Sequence, residues 1–305
     1  MRILVVIPVF NRPTMVLEAL DSVALQSTLP AAVAVVDDDS TDETPEAVER
    51  WIAARPGLAV HLVRANHGGA SAARNLGLRT FAADMDAVAF LDSDDLWPRD
   101  FLDRARAVLE REPRAVAVST DRELHDLRRG SRRKIDTTSL AVNPWFFMLR
   151  RGGALGSCTL FRTPAVLEAG GYPEDIPTGH DKILFGRIAR LGSWHHVTGN
   201  PVVFRRNYAD VIDGDADHLH RLYPDFEARW ASAAEQLWSE APNNASLEIK
   251  ARILIGKRWR KATKQAIRCG NRDDAWRCLA RAFRFCPWSL RNLHLWFRVM
   301  GRAKK

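Results

Sequence analysis

The stretch Phe90-Leu91-Asp92-Ser93-Asp94-Asp95-Leu96-Trp97 sets three carboxylates against the end of the apolar segment 87–91 (AVAFL). A short apolar run bounded by polar residues is a buried strand. Acidic residues at its end then stand at the rim of an α/β sheet, where such folds bind ligands. Asp92 and Asp94 are two apart and share a face in extended geometry. Paired oxygens of that kind suit a hard divalent cation that keeps places for phosphate oxygens. Taken alone, the run reads equally as a solvated turn capping a helix near Pro98.

Working outward, apolar β-branched runs alternate with helical periodicity. Strands are expected at 3–7, 32–36, 58–63, 87–91 and 115–119, with helices at 13–26, 42–54, 70–82 and 99–110. This alternation gives a parallel, doubly wound α/β layer. Residues 128–134 (RRGSRRK) read as a basic surface loop, 143–151 as a short aromatic helix, and Gly179-His180-Asp181 opens a helix through Leu191. Short apolar pieces follow at 194–197 and 202–205, and from about 215 the pattern is helical to the end. The expected organisation is one domain over 1–210, with halves at about 1–115 and 116–210, and a helical region over 211–305.

The ends of the strands share a chemistry. The first ends in Pro8-Val9-Phe10-Asn11 and the second in Asp37-Asp38-Asp39-Ser40-Thr41-Asp42. Asn66-His67-Gly68-Gly69 follows the third, and the acidic run follows the fourth. Turn chemistry accounts for any one of these; four together point to a single polar crevice. No Gly-x-Gly-x-x-Gly follows the first strand and no Walker lysine is present, which argues against a dinucleotide cofactor or a P-loop. An acidic crevice needs a metal before it takes a nucleoside diphosphate.

The 305 residues carry a net charge of +8, unevenly spread. From Lys250 onward, 17 Lys and Arg face only Asp273 and Asp274, a net of +15, whereas residues 1–249 carry 28 basic and 35 acidic residues, a net of −7. Such asymmetry implies an anionic partner for the tail. No segment has the roughly 20 apolar residues of a membrane span. Cys158, Cys269, Cys278 and Cys286 lack CxxC spacing, against a zinc site or disulfide framework and in keeping with a reducing cytoplasm.

The segments VVIPVFNRPTMVLEALDSVALQS, VVDDDSTDET, NHGGASAARNLGL and FLDSDDLW, in that order and spacing over about residues 3–110, resemble the family 2 glycosyltransferases of the GT-A fold. GGYPE and GHDKILFGRIARLG extend the likeness to about residue 200. The resemblance implies a Rossmann-like, mostly parallel sheet flanked by helices, with a C-terminal helical appendage. It also implies an inverting transfer of sugar from a nucleotide-diphosphate sugar, with a UDP-sugar as the expected donor. The expected acceptor is a hydroxyl of a glycan or lipid-linked molecule, in bacterial cell-surface polysaccharide or lipopolysaccharide synthesis.

Residue by residue, the resemblance places Pro8, Phe10 and Asn11 along the nucleoside and Asp38 as acceptor of a hydrogen bond from the base. Asn66, Gly69 and Arg74 fall near the nucleotide or the acidic run, Arg74 serving equally as an ion-pair partner within that run. Asp94 matches the carboxylate that binds Mg or Mn, with Asp92 and Ser93 beside it on the donor. Asp181 matches the base that deprotonates the acceptor, although Asp also caps helices on its own account. His180 stands where relatives carry Glu. Asn207 stands where many carry a His that helps bind metal, so that either Asp94 and phosphates alone hold the ion or His218 or His220 substitutes.

In the tail, Arg277, Arg281 and Arg284 fall on one helical face and Trp276, Leu279, Ala280 and Phe283 on another. Leu293, Trp296, Phe297 and Met300 form a second apolar stripe beside Arg291, Arg298 and Arg302. With Trp259, Trp276, Trp288 and Trp296 at hand, these helices suit peripheral contact of 250–305 with anionic membrane at the inner face of the cell membrane. They equally suit packing on one another or on the catalytic domain. Nucleic acid is not expected, since no recognition module accompanies the charge. The competing function is a noncatalytic nucleotide-sugar-binding or scaffold protein that keeps the fold.

Overall fold

The computed structural model describes residues 1–152, 155–176, 178–206, 223–241 and 245–301. Strand β1 (Ile3–Val9) is buried at all seven positions, as the unbroken apolar run requires of a strand covered on both faces. Parallel to it lie β2 (Ala32–Asp37) on one side and β4 (Ala87–Phe90) on the other, and β3 (Val60–Arg64) extends the sheet beyond β2. Helices α1 (Pro13–Ala24), α2 (Thr44–Ala53), α3 (Gly69–Phe81) and α4 (Phe101–Arg111) make the connections. Pro13 stands in the first turn of α1, where its missing N–H costs nothing.

The sheet continues with β7 (Thr159–Arg162), antiparallel to both β4 and β5 (Ala115–Asp126). β6 (Ser131–Ile135) pairs antiparallel with the far half of β5, and β8 (Ser193–Arg206) runs parallel to β5. The order is β3-β2-β1-β4-β7-β5-β6, with β8 against β5, so the sheet is mixed and its first four strands are parallel. Winding reverses between β1 and β4, and their C-terminal ends therefore open the crevice of a doubly wound sheet.

Three segments differ from the sequence reading. Residues 131–135, expected within a basic loop, are strand β6, because β5 runs on to Asp126 and offers a free edge. The two apolar pieces near 194 and 202 are one strand, β8, carried past 199 by Gly199 at φ +150°. The helix opening at His180, α7 (His180–Ile188), stops three residues before Leu191.

Helix α5 (Pro144–Arg150) is capped by the Asn143 carboxamide oxygen, which accepts from Phe146 N–H at 2.9 Å. After the short α6 (Thr163–Glu168) and α7 come α8 (Phe226–Ser239), α9 (Ala245–Arg268), α10 (Arg272–Phe285) and α11 (Leu290–Gly301). One apolar core runs from the sheet through α7 into Ala231, Leu237, Ala251, Trp259 and Ala282. Two glycines allow that approach: a Cβ at Gly179 would lie 2.9 Å from Ala233 Cβ, and one at Gly186 would lie 2.4 Å from Leu237 Cδ1. Trp259, expected at an interface, belongs to this core, its indole N–H donating to Glu235 Oε2 at 3.0 Å. A second cluster of Ala266, Ile267, Ala275, Leu279, Leu295 and Val299 joins α9, α10 and α11.

Candidate active site

At the end of β2, Asp37 and Asp38 are buried, and Asp38 turns toward the loop before α3. Its Oδ1 accepts from Gly68 N–H at 2.8 Å and its Oδ2 from Gly69 N–H at 2.9 Å. These are orphan donors at the start of α3, so a carboxylate from another strand caps that helix and meets the positive end of its dipole. His67 Nδ1 lies 3.1 Å from both Asp38 Oδ2 and the Asp38 carbonyl oxygen, and its ring stands 4.9 Å from Phe10. Gly69 holds φ +82°, which explains a glycine there.

The end of β1 is tied to the same rim. Asn11 adopts φ +50°, a left-handed conformation that its short polar side chain tolerates. Its backbone N–H donates to Ser40 Oγ at 2.9 Å, and its Oδ1 accepts from Thr41 N–H at 2.8 Å. Pro8 lies within β1 beside Val36, one position before the strand's end. Asn66 is exposed on the loop leading to Gly68.

Beyond β4 the acidic run folds into a compact cluster. Asp92, Asp94 and Asp95 each offer an oxygen, all within 4.8 Å of one another. Each is also held by a cation or donor. Arg74 Nη2 is 2.5 Å from Asp92 Oδ1, and Arg12 Nη1 is 3.0 Å from Asp94 Oδ2 and 3.5 Å from Ser93 Oγ. Arg205 donates from its backbone N–H to Asp95 Oδ1 at 3.2 Å and from Nε to the Asp94 carbonyl at 2.5 Å, while Nη1 pairs with Glu18. Burial lifts Asp94 above the usual carboxylate range, helped by Asp92 and opposed by Arg12. Burial and the charges of Asp94 and Asp92 lift Asp95 well above it.

The triad's chemistry fits a hard cation. Each of the three carboxylates offers an oxygen donor to a common point, the set that Mg and Mn prefer.

From the triad a chain of contacts leads through the buried Arg74 and Tyr172 to α7. Arg74 lies with its guanidinium 5.1 Å from the Tyr172 ring, and Tyr172 is edge-on to His180 at 5.8 Å. His180 Nε2 is 3.5 Å from Asp181 Oδ1. Burial draws the Arg74 pKa down, but Asp92, Tyr172 and Asp181 more than reverse this and hold it above its ordinary value. Burial lowers that of His180 despite Asp181, so the imidazole is neutral at physiological pH. Asn75 supports the chain by accepting from Tyr172 N–H at 2.9 Å and donating to Glu174 Oε1 at 2.8 Å.

The structure thus gathers Asp92, Ser93, Asp94, Arg74 and Asp181 in one neighbourhood, and Phe10, Asn11, Asp38 and Gly69 along the adjoining rim. Arg12, His67 and Tyr172 join them without having been singled out from sequence, and Asp95 joins them as the third carboxylate of the acidic run. Arg12 carried a legible signal, a cation directly after Asn11 at the end of the first strand. Asn207, His218 and His220 lie outside the described residues, as does the expected boundary at 210/211.

The model of glycosyl transferase family 2 matches residues 4–165, and the chain belongs to that family. It is similar to the succinoglycan biosynthesis protein ExoW of Rhizobium meliloti, 37% identical over 102 residues, covering 33% of this chain and 32% of that one. It is also similar to the poly(ribitol-phosphate) beta-N-acetylglucosaminyltransferase TarS of Staphylococcus aureus, 34% identical over 113 residues, 36% of this chain and 19% of that one. The chain spans about a third of the length of the first curated relatives it matches.

Among solved structures, TarS residues 1–349 with UDP-GlcNAc superimpose with a TM-score of 0.60 at 15% identity, covering 93% of this chain and 91% of that one. A mannosyltransferase of Pyrobaculum calidifontis, PcManGT, with GDP-Man and Mn2+ gives 0.59 at 21% identity, covering 99% and 87%. At these identities the likeness is one of fold, and that fold is GT-A.

Proposed function

We propose that the protein is an inverting, metal-dependent glycosyltransferase. It moves a sugar from a nucleoside-diphosphate sugar to a hydroxyl of a glycan or lipid-linked acceptor, in assembly of a bacterial surface polysaccharide or lipopolysaccharide. The observation that carries this reading is the chain of contacts Asp92–Arg74–Tyr172–His180–Asp181, which links the acidic triad through the buried Arg74 and Tyr172 to a carboxylate on a separate helix. Two carboxylate sites at one crevice separate the handling of a leaving group from that of a nucleophile. That TarS was solved with UDP-GlcNAc, PcManGT with GDP-Man and Mn2+, and that ExoW is named for succinoglycan biosynthesis supports it. Residues 1–210 form the catalytic part, and 211–305 an appendage that keeps the protein beside anionic membrane.

In this reading Pro8, Phe10, Asn11 and Asn66 border the nucleoside. Asp38 has a second lone pair on each oxygen, so it caps α3 and still accepts a hydrogen bond from a uracil-type N–H. Asp94, with Asp92, holds Mg or Mn, which when bound supplies Lewis-acid stabilisation of the departing diphosphate. Arg12 and Arg74 keep the carboxylates oriented and screen their repulsion. Asp181 takes the proton of the acceptor hydroxyl as its oxygen bonds the anomeric carbon. The bond from that carbon to the diphosphate breaks in the same displacement, its electrons leaving with the phosphate, and the configuration inverts.

The test is release of nucleoside diphosphate from a panel of sugar nucleotides, with and without Mn, in the wild type, Asp94→Ala and Asp181→Ala. Metal-dependent turnover is expected with at least one donor, falling by about a hundredfold or more in each variant. Full activity in either variant overturns its role, and donor binding without turnover favours a noncatalytic protein.

A further inference from the structure

Helix α11 has two apolar faces, and only one is covered. Asn292, Leu295 and Val299 are buried against α9 and α10. Asn292 fixes the rotation of the helix, its amide donating to the Ala282 carbonyl at 3.0 Å and the Cys286 carbonyl at 2.7 Å. Leu290, Leu293, Phe297 and Met300, spaced by three and four, form a stripe on another side and are between 45% and 81% exposed. Trp288, just before the helix, is 90% exposed. The stripe runs at Leu293 into a cleft of about 380 Å³ between α10 and α11, lined also by Trp276, Leu279, Ala280, Phe283 and Trp296. A helix whose core-facing side is already satisfied gains nothing from a second apolar face in water.

We infer that this face of α11, with Trp288 and the adjoining cleft, docks into the surface of an anionic lipid leaflet. The inference rests on the reading of the protein as a membrane-side transferase and assigns that contact to named residues. Charge selects the occupant. Arg291, His294 and Arg298 flank the stripe on the same helix. Lys261, Arg277, Arg281 and Arg284 are paired with Glu227, Asp274 and Glu235. Among the described residues, Lys264, Arg268, Arg272, Arg291 and Arg298 have no carboxylate within ion-pair distance. A second copy of the chain would set Arg291 and Arg298 against themselves, whereas an anionic leaflet meets them with headgroups and meets the stripe with hydrocarbon. Tryptophans favour that boundary depth. No helix among the described residues is long and apolar enough to cross a membrane, so the contact lies on the surface.

The test is sedimentation of the full chain, without donor or acceptor, on vesicles of phosphatidylcholine alone or with an equal part of phosphatidylglycerol. Binding to the mixed vesicles is expected to be roughly tenfold or more stronger than to phosphatidylcholine, and to weaken with added salt. Leu293→Asp with Phe297→Asp, both at exposed positions, is expected to weaken it by a similar factor while thermal unfolding and donor turnover stay unchanged. Absence of wild-type binding to either vesicle, or equal binding by the double variant, overturns the inference. So does a change from dimer to monomer in the double variant with vesicle binding unaffected, which marks the stripe as a self-interface. Vesicle binding is read without turnover, so its failure leaves the catalytic reading standing, and loss of turnover leaves docking untouched.

Discussion

Arg12 Nη1 lies 3.0 Å from Asp94 Oδ2, and this ion pair joins the chain just past β1 to the chain just past β4, across the point where the sheet's winding reverses. The carboxylate proposed to take a metal is therefore already engaged by a guanidinium. A cation arriving alone must compete with Arg12; one arriving with a diphosphate need not, because the phosphates can take the guanidinium. Arg12→Gln should strengthen Mn binding in the absence of nucleotide by about tenfold, the equivalent of ~1.4 kcal/mol. Titration of Mn by electron paramagnetic resonance checks this, and unchanged or weaker binding contradicts it.

Asp38 serves the fold before it serves any ligand. Its two oxygens cap α3 through Gly68 and Gly69. In Asp38→Asn an amide NH2 would face one of those backbone N–H groups, leaving a donor unsatisfied at a cost of about 1–3 kcal/mol. The ligand-free protein should therefore unfold at lower temperature by calorimetry. A residue that only reads the nucleoside would leave ligand-free stability unchanged.

Lys182 is fully buried one residue after Asp181 and, among the described residues, has no carboxylate partner. Its Nζ donates to the Met148 and Leu149 carbonyls at 2.9 and 3.1 Å, near the end of α5, and lies 5.0 Å from the Trp230 ring. A neutral amine has two N–H groups, which those two carbonyls satisfy. Burial, assisted by Arg258, brings its pKa from 10.5 to about 7. Between these values the folded state binds fewer protons than the unfolded one, so stability rises with pH by up to about 1.4 kcal/mol per unit. The penalty of burying the cation is fully present below pH 7. The stability difference between wild type and Lys182→Met, from denaturant titrations across this range, should climb with pH; a flat difference contradicts the account.

Gly186 lets α7, which carries Asp181, lie directly on α8. A methyl there would stand 2.4 Å from Leu237 Cδ1, and Leu237 is fully buried and cannot swing clear. Gly186→Ala should cost about 1–3 kcal/mol by overpacking. The denaturation midpoint measures it, and a neutral substitution would show that α8 is only loosely seated.

The parallel half of the fold was legible because its strands are continuous apolar runs and each ends in polar residues. Residues 87–91 and the three carboxylates after them behave as their pattern requires. Less was legible where pairing decides structure. Residues 131–135 carry Arg132, Arg133 and Lys134 and become a strand only because β5 extends to Asp126 beside them. Motif order singled out Asp38, Asp94 and Asp181; the fold sets Asp38 on the start of α3, Asp94 in the acidic cluster and Asp181 at the start of α7, and their roles belong to the proposed function. Arg12 and Tyr172 escaped notice because their roles arise from long-range approach, Tyr172 reaching Arg74 from nearly a hundred residues away. Trp259 was read as interfacial because an amphipathic pattern does not say which apolar face finds a core.

In the proposed reading the acidic triad binds a nucleoside diphosphate through a divalent metal. Calorimetric titration of UDP and GDP into the protein, with Mn and then with the metal chelated, decides it. The expected result is binding of at least one nucleotide that needs the metal and is lost in Asp94→Asn. Binding that persists without metal, or at equal strength in Asp94→Asn, would contradict it.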